Sequence, residues 1–275
     1  MVSLCPPAPV KSCYAVKIGG SVTTVKRGSY QFNDAAISSI ASTLVSCRED
    51  LALPLILVFG GGSFGNVAPV EHGLVSIGRV EQPPKLAMMT VTMFGMLSRI
   101  AERLLAYGVP VYPLQTSALV VKRLDGMYID ARALCCAMSE GYIPLLSGDM
   151  VFSERGGYQL VSSDDILPLL SRALTVERAL YYTDVEGIYD PDDPCKKVIP
   201  VVHGGNAEWV KGMSGLSSVH DLTGGMAQKF KQLRALAISG VEAEVLSFRH
   251  FPVLADSLRA VVQHGTIFKS GSEKC

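Results

Sequence analysis

The sequence lacks an excess of charge of either sign. Its 25 lysine and arginine residues balance 25 aspartate and glutamate residues, and no segment concentrates the basic ones. A nucleic-acid partner is therefore not expected, because such surfaces depend on clustered basic side chains. The chain also lacks an apolar run of the roughly 20 residues that a membrane span needs, and Met1 to Val10 lack the basic start of a signal peptide. These absences favour a soluble, cytoplasmic protein without a membrane partner.

Paired cysteines are also missing. The seven cysteines are odd in number and none forms a Cys-x-x-Cys motif, so neither a disulfide framework nor a metal site is expected. Reduced, buried thiols are the favoured interpretation, since cytosolic proteins use cysteine as a small apolar residue. No metal-ligating residue is predicted in this chain.

Apolar runs alternate along the chain with segments of helical spacing. With 275 residues, of which 48% are hydrophobic, the chain can form one large α/β domain or two closely packed lobes. Continuous apolar strands separated by helices predict a mainly parallel sheet covered on both faces. Strands are predicted at Cys13–Ile18, Leu53–Phe59, Val109–Leu114, Ile143–Ser147, Tyr158–Val161, Ala179–Thr183 and Ala243–Phe248. Helices are predicted at Asp34–Cys47, Lys85–Tyr107, Asp165–Leu174 and Gly225–Gly240.

Two glycine-rich segments each follow a predicted strand. The first contains Lys17, Gly19, Gly20 and Ser21, and the second is the run Gly60–Gly65. Glycines let the backbone approach a ligand closely and aim its amides at an anion, and the second segment opens a helix, where anions bind well. Taken singly, the first also fits a tight turn with solvated lysines, and the second fits a flexible connector. The second segment has neither the spacing of the P-loop nor that of the dinucleotide fingerprint.

Three further polar segments complete the pattern. Ser162–Asp165 precedes a predicted helix, so one carboxylate is expected to cap that helix while the other faces a cleft, although local evidence alone favours a plain helix cap. Thr183–Asp190 follows a predicted strand and suits a nucleoside, or is a surface loop. Asp221–Met226 leads into a helix that carries Lys229 and suits the outer phosphates of ATP. Together with lysines near the first glycine segment, these parts predict phosphoryl transfer.

In this order the motifs resemble those of the amino acid kinase superfamily, in the branch that contains isopentenyl phosphate kinases and fosfomycin kinases. The segments that carry the resemblance are K-I-G-G-S, G-G-G-S-F-G, S-G-D, S-S-D-D-I, T-D-V-E-G-I-Y and D-L-T-G-G-M, between about Tyr14 and Phe248. The resemblance implies a single domain over residues 1–275 with the fold of a three-layer α/β/α sandwich. The change in the role of the motifs places a lobe boundary near residue 175, so the resemblance implies an acceptor-binding lobe at about 12–174, an ATP-binding lobe at about 175–268, and a homodimer.

The resemblance also assigns roles to individual residues. Lys17 would bridge the donor and acceptor phosphates, Lys26 and Lys229 would bind the outer phosphates of the nucleotide, and Asp164 would orient the lysines in this catalytic set. The residues that would bind the acceptor are Gly61, Gly62, Asn66 and Gly148. The residues that would bind the nucleotide are Lys17, Gly19, Gly20, Ser21, Asp184, Gly187, Tyr189, Gly224, Gly225 and Lys229. ATP would be the donor, with Mg²⁺ as its cofactor.

One position departs from the pattern of the branch, in which the glycine loop continues with a histidine that touches the acceptor phosphate. This chain has Asn66 there, which can donate a hydrogen bond but cannot carry a positive charge. His72, six residues later, is a candidate substitute, although a structural histidine is the simpler interpretation. The remaining histidines are interpreted as surface or core residues.

The predicted reaction is attack by a phosphate or phosphonate oxygen of a small acceptor on the γ-phosphorus of ATP. That oxygen is already ionised near neutral pH, so alignment and charge neutralisation are sufficient for catalysis. Methionines of the predicted helix Lys85–Tyr107 would either line an apolar pocket for an isopentenyl tail or belong to the core. Because Asn66 counts against the isoprenoid acceptor, a fosfomycin kinase is preferred. An isopentenyl phosphate kinase is the alternative, and a non-catalytic nucleotide-sensing module is an alternative of another class.

Overall fold

The computed structural model describes residues 10–25, 30–190, 193, 195, 197–203 and 225–269, with no side chains for residues 225–227. The helices are α1 (Gly20–Thr23), α2 (Asp34–Cys47), α3 (Gly62–Glu71), α4 (Pro83–Ala106), α5 (Thr116–Leu119), α6 (Arg132–Ser139), α7 (Ser163–Ala173), α8 (Gly225–Ile238) and α9 (Leu254–Leu258). The strands are β1 (Ser12–Ile18), β2 (Leu55–Phe59), β3 (Ile77–Gly78), β4 (Val111–Pro113), β5 (Val120–Arg123), β6 (Gly126–Ile129), β7 (Ile143–Ser147), β8 (Asp149–Phe152), β9 (Tyr158–Val161), β10 (Thr175–Thr183), β11 (Val201–Val202), β12 (Glu242–Ser247) and β13 (Thr266–Phe268). None of the helices in these ranges combines the length and apolar composition of a transmembrane span.

Eight of the described strands form one central sheet. Their order is β11-β13-β12-β10-β1-β2-β7-β4, and neighbouring strands are parallel except for β12 with β13. Successive side chains of a strand face opposite sides of a sheet. On β1, Val16 and Ile18 therefore pack in an apolar cluster with α2 and α4, whereas Cys13 and Ala15 pack in a second cluster with α7 and α8. The predicted three-layer sandwich with a mainly parallel sheet is confirmed.

Most of the predicted elements are confirmed, with small shifts in their limits. The predicted limits of α2, β7 and β9 agree with the structure. Helix α4 begins earlier than predicted, at Pro83, because proline fits the first helical turn, where no backbone donor is needed. Strand β10 also begins earlier, since it pairs with β1 from Ser12 onwards. The other predicted elements differ from the observed limits by one or two residues.

The prediction of buried cysteines is wrong for part of the set. Cys13 and Cys47 are buried, but the other three described cysteines are half-buried or exposed, and all five are free thiols. Cys136 is exposed because it lies on the outer face of α6, and Cys195 is exposed because it lies in a turn. The remaining two cysteines lie outside the described residues.

The parallel strands gather the predicted motifs at one edge of the sheet. Strands β1, β2, β7 and β10 run in the same direction, so the segments that follow them meet at their carboxyl ends. The predicted boundary near residue 175 coincides with the middle of the sheet, between β10 and β1. Because the sheet is continuous across this point, the functional division into two lobes stays a prediction.

The two glycine-rich segments pack directly against each other at this edge. A Cβ atom on Gly20 would lie 2.1 Å from the Gly62 nitrogen, and one on Gly60 would lie 2.3 Å from the Gly20 nitrogen. Gly62 has a φ angle of 49°, in the left-handed region that favours glycine. The Thr24 hydroxyl joins the segments, since it donates to the Gly20 carbonyl (2.8 Å) and accepts from the Ser63 amide (3.0 Å). Three of the glycines are therefore required by the packing of the protein itself.

We predict that Gly20→Ala lowers the free energy of unfolding by about 2–3 kcal/mol, because the added methyl group overlaps the backbone of the neighbouring segment. Gly95→Ala is the matched control. Gly95 is exposed in α4, and no atom lies within 4 Å of its added Cβ, so alanine should stabilise the helix by up to about 1 kcal/mol. Urea unfolding measures both values, and equal stabilities would contradict the tight contact between the segments.

Candidate active site

A cavity of about 310 Å³ lies at the carboxyl edge of the sheet, where the predicted segments meet. The predicted site residues that line it are Lys17, Gly19, Gly20, Ser21, Gly61, Gly62, Asn66, Gly148, Asp164, Asp184 and Lys229. The other residues of the lining are Gly60, Gly65, Met89, Met93, Leu160, Val161, Ser162, Ser163 and Thr183. The fold thus brings together segments that are far apart in the sequence.

Lys17, Asp164 and Lys229 form the charged centre of this cavity. Lys17 is near the end of β1, Asp164 lies in the first turn of α7, and Lys229 lies near the start of α8. The Lys17 Nζ atom is 2.6 Å from Asp164 Oδ1, and Lys229 Nζ is 3.3 Å from Oδ1 and 3.5 Å from Oδ2. All three residues are buried, with at most 8% of their surface exposed. One carboxylate therefore holds two ammonium groups, and the trio carries a net positive charge.

Burial and pairing set the charge states of this trio. Burial lowers the pKa of Lys17 to about 8, while the Asp164 carboxylate opposes this change and the Lys229 ammonium adds to it. Burial alone would raise the pKa of Asp164, but Lys17 and Lys229 together outweigh it and hold that pKa below its ordinary value. Asp164 is therefore an ionised anchor for the two lysines near neutral pH and is poorly suited to accept a proton. Lys17 loses its charge as the pH rises through the mildly alkaline range.

The beginning of α7 holds Asp164 in place. The Ser162 hydroxyl accepts a hydrogen bond from the Asp164 amide (3.3 Å), and the Asp165 carboxylate accepts one from the Ser162 amide (2.9 Å), which completes a capping box. The hydroxyl of Tyr181, a buried residue of β10, donates to the Asp164 carbonyl oxygen (3.2 Å). The two carboxylates thus differ in position: Asp165 caps the helix and Asp164 borders the cavity.

Another part of the cavity combines backbone donors with apolar side chains. Gly61 and Gly62 lie at the start of α3, where the first amides of a helix have no acceptor within it. Asn66 borders the cavity one turn further along α3. The apolar residues that line it are Met89 and Met93 of α4 and Leu160 and Val161 of β9. A ligand with an anionic head and a short apolar tail fits this combination.

Gly148 shows why a small residue is needed between β7 and β8. A Cβ atom there would lie 2.9 Å from the Val161 carbonyl oxygen and 3.0 Å from the Ser163 nitrogen. A side chain at this position would therefore collide with the segment that carries the α7 cap. The structure explains Gly148 through this packing as well as through its position in the cavity lining.

Some predicted nucleotide-binding residues cannot be located in the cavity. Lys26 lies outside the described residues. So do residues 221–224, which form most of the predicted phosphate turn and include Gly224. Gly225 is the first residue of α8. Their predicted contacts with the nucleotide stay predictions.

Two other residues are described but do not line the cavity. Gly187 packs against β13, since a Cβ atom there would lie 2.8 Å from the Thr266 hydroxyl oxygen. The Tyr189 hydroxyl accepts a hydrogen bond from the Glu186 amide (3.2 Å). These contacts account for both residues without a ligand, and their predicted contacts with the nucleoside stay predictions.

His72 does not take the place of the histidine that the resemblance led us to expect. It follows the last residue of α3 and borders a different cavity, whereas Asn66 borders the charged one. The interpretation of His72 as a structural histidine fits this position.

The sequence left open whether the methionines of α4 line a pocket or belong to the core. Met89, Met93 and Met96 all belong to the core, but of the three only Met89 and Met93 also border the cavity, and Met88 is exposed. Helical spacing alone does not separate these cases, because the cavity and the core share one face of α4. Thr24 was missed at the level of sequence, and its only signal was a position four residues after Gly20 in a short loop.

Comparison with known proteins agrees with this arrangement. The profile of the amino acid kinase family matches residues 12–247. The isopentenyl phosphate kinase of Haloferax volcanii is 30% identical over 229 residues, which cover 82% of this chain and 88% of the relative. The isopentenyl phosphate kinase of Methanocaldococcus jannaschii is 28% identical over 232 residues, which cover 80% of this chain and 85% of the relative.

A solved structure shows the same fold. The crystal structure of the T. acidophilum isopentenyl phosphate kinase product complex superposes with a TM-score of 0.71 at 24% identity, and the match covers 94% of this chain and 100% of that one. The resemblance predicted from the order of the motifs is confirmed, and so is the prediction of a kinase. The chain therefore belongs to the amino acid kinase family and is an ATP-dependent phosphotransferase.

Proposed function

We propose that this protein transfers the γ-phosphoryl group of ATP to the phosphate of isopentenyl phosphate or a closely similar short alkyl phosphate, which gives a diphosphate. The observation that carries the proposal is the cavity itself, in which the Lys17–Asp164–Lys229 trio borders both the amides of α3 and a group of apolar side chains. The names of the relatives support the same acceptor.

The reaction needs positioning more than proton transfer. An ionised oxygen of the acceptor phosphate attacks the γ-phosphorus and forms a new P–O bond, while the bond to the bridging oxygen of ADP breaks and its electron pair leaves with ADP. Lys17 and Lys229 neutralise charge on the phosphoryl group as it moves between the two anions. Asp164 keeps both ammonium groups at the same point and does not act as a base, because its pKa lies below the ordinary value.

Mg²⁺ fits the same site as part of the nucleotide complex. Among the described residues, Asp164 and Asp184 are the acidic side chains that line the cavity. Asp184 follows the end of β10 in the cavity lining and accepts a hydrogen bond from the Thr183 hydroxyl (3.2 Å), and its carboxylate would hold the ion together with phosphate oxygens and water. Bound there, Mg²⁺ would neutralise phosphate charge and help to align the leaving group.

The acceptor preferred from sequence, fosfomycin, has less support than the alternative. Fosfomycin is a small phosphonate and would leave the apolar part of the cavity, formed around Met89 and Met93, without a tail to cover. A nucleotide-sensing module has no support from the buried trio, whose net positive charge is suited to a reacting phosphoryl group. The homodimer and the cytoplasmic location stay predictions.

We predict that the purified protein with Mg²⁺ and ATP converts isopentenyl phosphate to isopentenyl diphosphate, with kcat/KM at least about tenfold above that for fosfomycin. A tenfold preference corresponds to about 1.4 kcal/mol, which the burial of two methylene groups can supply. ³¹P NMR of the products identifies the diphosphate and ADP. A preference for fosfomycin, or binding of ATP without transfer to either acceptor, would contradict the proposal.

We predict that Lys17→Ala abolishes turnover, because the site loses one of its two ammonium groups. We also predict that the wild-type kcat/KM for ATP falls above a pH of about 8, because deprotonated Lys17 no longer attracts phosphate. The loss occurs as the pH rises, since the ammonium form is the active one. Lys17→Arg is the matched control, because a guanidinium group keeps its charge throughout this range. Its lower activity should show no decline with a midpoint near pH 8, and an unchanged midpoint in this variant would assign the titration to another group.

We predict that Asn66→His raises kcat/KM for isopentenyl phosphate by about tenfold at pH 6, because an imidazolium group can donate a charge-assisted hydrogen bond to the acceptor phosphate. The gain should shrink at pH 8, where imidazole is neutral. His72→Asn, at the end of the same helix but outside the cavity lining, should leave the rate unchanged. A rate that is unchanged or lower in Asn66→His would remove this position from the acceptor site.

A further inference from the structure

A second carboxylate, the half-buried Asp165, lies beside Asp164 and takes no part in the chemistry described above. Asp165 Oδ2 accepts a hydrogen bond from the Ser162 amide (2.9 Å), and Oδ1 accepts one from the side-chain amide of Gln228 (2.8 Å) and another from Gln232. Three N–H donors from two separate parts of the chain therefore converge on one side chain. The donors suit an ionised carboxylate, which only accepts hydrogen bonds.

Asp165 lies on a different side of α7 from Asp164. It borders a neighbouring cavity together with Gln228 and Gln232, whereas Asp164 borders the reaction cavity. The cap of α7 needs only the contact with Ser162. The contacts with the two glutamines therefore serve a purpose other than starting the helix.

The positions of the two glutamines on α8 indicate what these contacts do. Gln228 and Gln232 are four residues apart, so their side chains leave the helix on the same face. Two hydrogen bonds spaced in this way fix both the rotation of α8 and its position along its axis relative to α7. Lys229 follows Gln228 directly, and its Nζ atom is 3.3 and 3.5 Å from the oxygens of Asp164. Because a lysine side chain is long and flexible, the position of its helix decides where its ammonium group can reach.

Uncharged hydrogen-bond donors are suited to the positions of Gln228 and Gln232. A lysine or arginine at either glutamine position could also pair with Asp165, but it would add positive charge next to Lys17 and Lys229. Burial raises the pKa of Asp165, and the hydrogen bonds from Ser162 and Gln228 oppose that change. The amides therefore hold the carboxylate without altering the charge that the phosphates would meet.

We propose that Asp165 is a positioning residue that, through Gln228 and Gln232, sets the register of α8 on α7 and so brings Lys229 to Asp164. The proposal rests on the proposed function in one respect, namely that Lys229 binds the phosphates of ATP. Loss of the register should therefore weaken nucleotide binding and transfer and leave the acceptor site intact.

The first test removes the glutamine amides and leaves the α7 cap untouched. In the double variant Gln228→Ala, Gln232→Ala we expect the dissociation constant for Mg-ATP, measured by calorimetry without acceptor, to rise about 10- to 100-fold, as for the loss of hydrogen bonds to a charged group. We expect kcat to fall as well, and KM for the acceptor to change by less than about twofold. Ile238→Ala, at an exposed position near the end of the same helix and outside both cavities, is the matched control and should bind ATP like the wild type.

The second test separates positioning from general loss of stability. Gln228→Glu sets a second carboxylate against Asp165 and should weaken ATP binding, since two like charges in a half-buried contact repel. Adding Asp165→Asn removes that repulsion and lets the amide donate to the new carboxylate, so the pair should regain ATP binding to within about threefold of the wild type. Circular dichroism of each variant verifies that the fold is present.

Three results would overturn the positioning role. The first is normal ATP binding in the double alanine variant. The second is a KM for the acceptor that rises by the same factor as the dissociation constant for Mg-ATP. The third is equally weakened ATP binding in Gln228→Glu with and without Asp165→Asn. If the wild type transfers phosphate to no acceptor, the proposed function fails, but the calorimetric binding data still decide the role of Asp165.

Discussion

The carboxylate of Asp164, shared by the ammonium groups of Lys17 and Lys229, is the interaction on which the site depends. Its partners are separated from it by 147 and 65 residues in the sequence and come from a strand and a helix. Two buried ammonium groups close together would repel each other, and a buried carboxylate without a partner would be costly. The trio is therefore stable only when β1, α7 and α8 are all in place, which makes the charge of the site a direct consequence of the fold.

The architecture explains why this constraint can be met. Parallel strands end at one edge, and the two glycine-rich segments at that edge approach each other more closely than any residue with a side chain would allow. The same edge receives Met89 and Met93 from α4. Charged, backbone and apolar surfaces thus meet in a single cavity, and this combination favours an acceptor with both a phosphate and a short hydrocarbon chain.

Much of the fold could be predicted from the sequence, because buried parallel strands leave long apolar runs such as the one at β2, and amphipathic spacing marks helices such as α2. The segments that converge at the site could also be predicted, since Lys17, Asp164 and Lys229 each follow a recognisable local pattern. Their mutual distances could not, because nothing local reports on a contact over 147 residues. The resemblance to a family supplied that information.

Other features were beyond the reach of local patterns for specific reasons. The glycines at 20, 60 and 62 were interpreted as ligand contacts, and the structure adds that they contact each other. The sequence indicated only a helix cap at Asp165, and its contacts with Gln228 and Gln232 became visible only in the structure. The choice of fosfomycin gave great weight to one residue, Asn66, and left the apolar lining undecided, because helical spacing could not distinguish a pocket lining from core.

A crystal structure with a non-hydrolysable ATP analogue, Mg²⁺ and isopentenyl phosphate tests the central claim most directly. The account predicts that Lys17 Nζ and Lys229 Nζ each lie about 3 Å from oxygens of the same γ-phosphoryl group, with Asp164 still between them. If either ammonium group lay more than about 6 Å from every phosphate oxygen, too far for a strong charge interaction, the shared carboxylate would not be the organiser of the reaction.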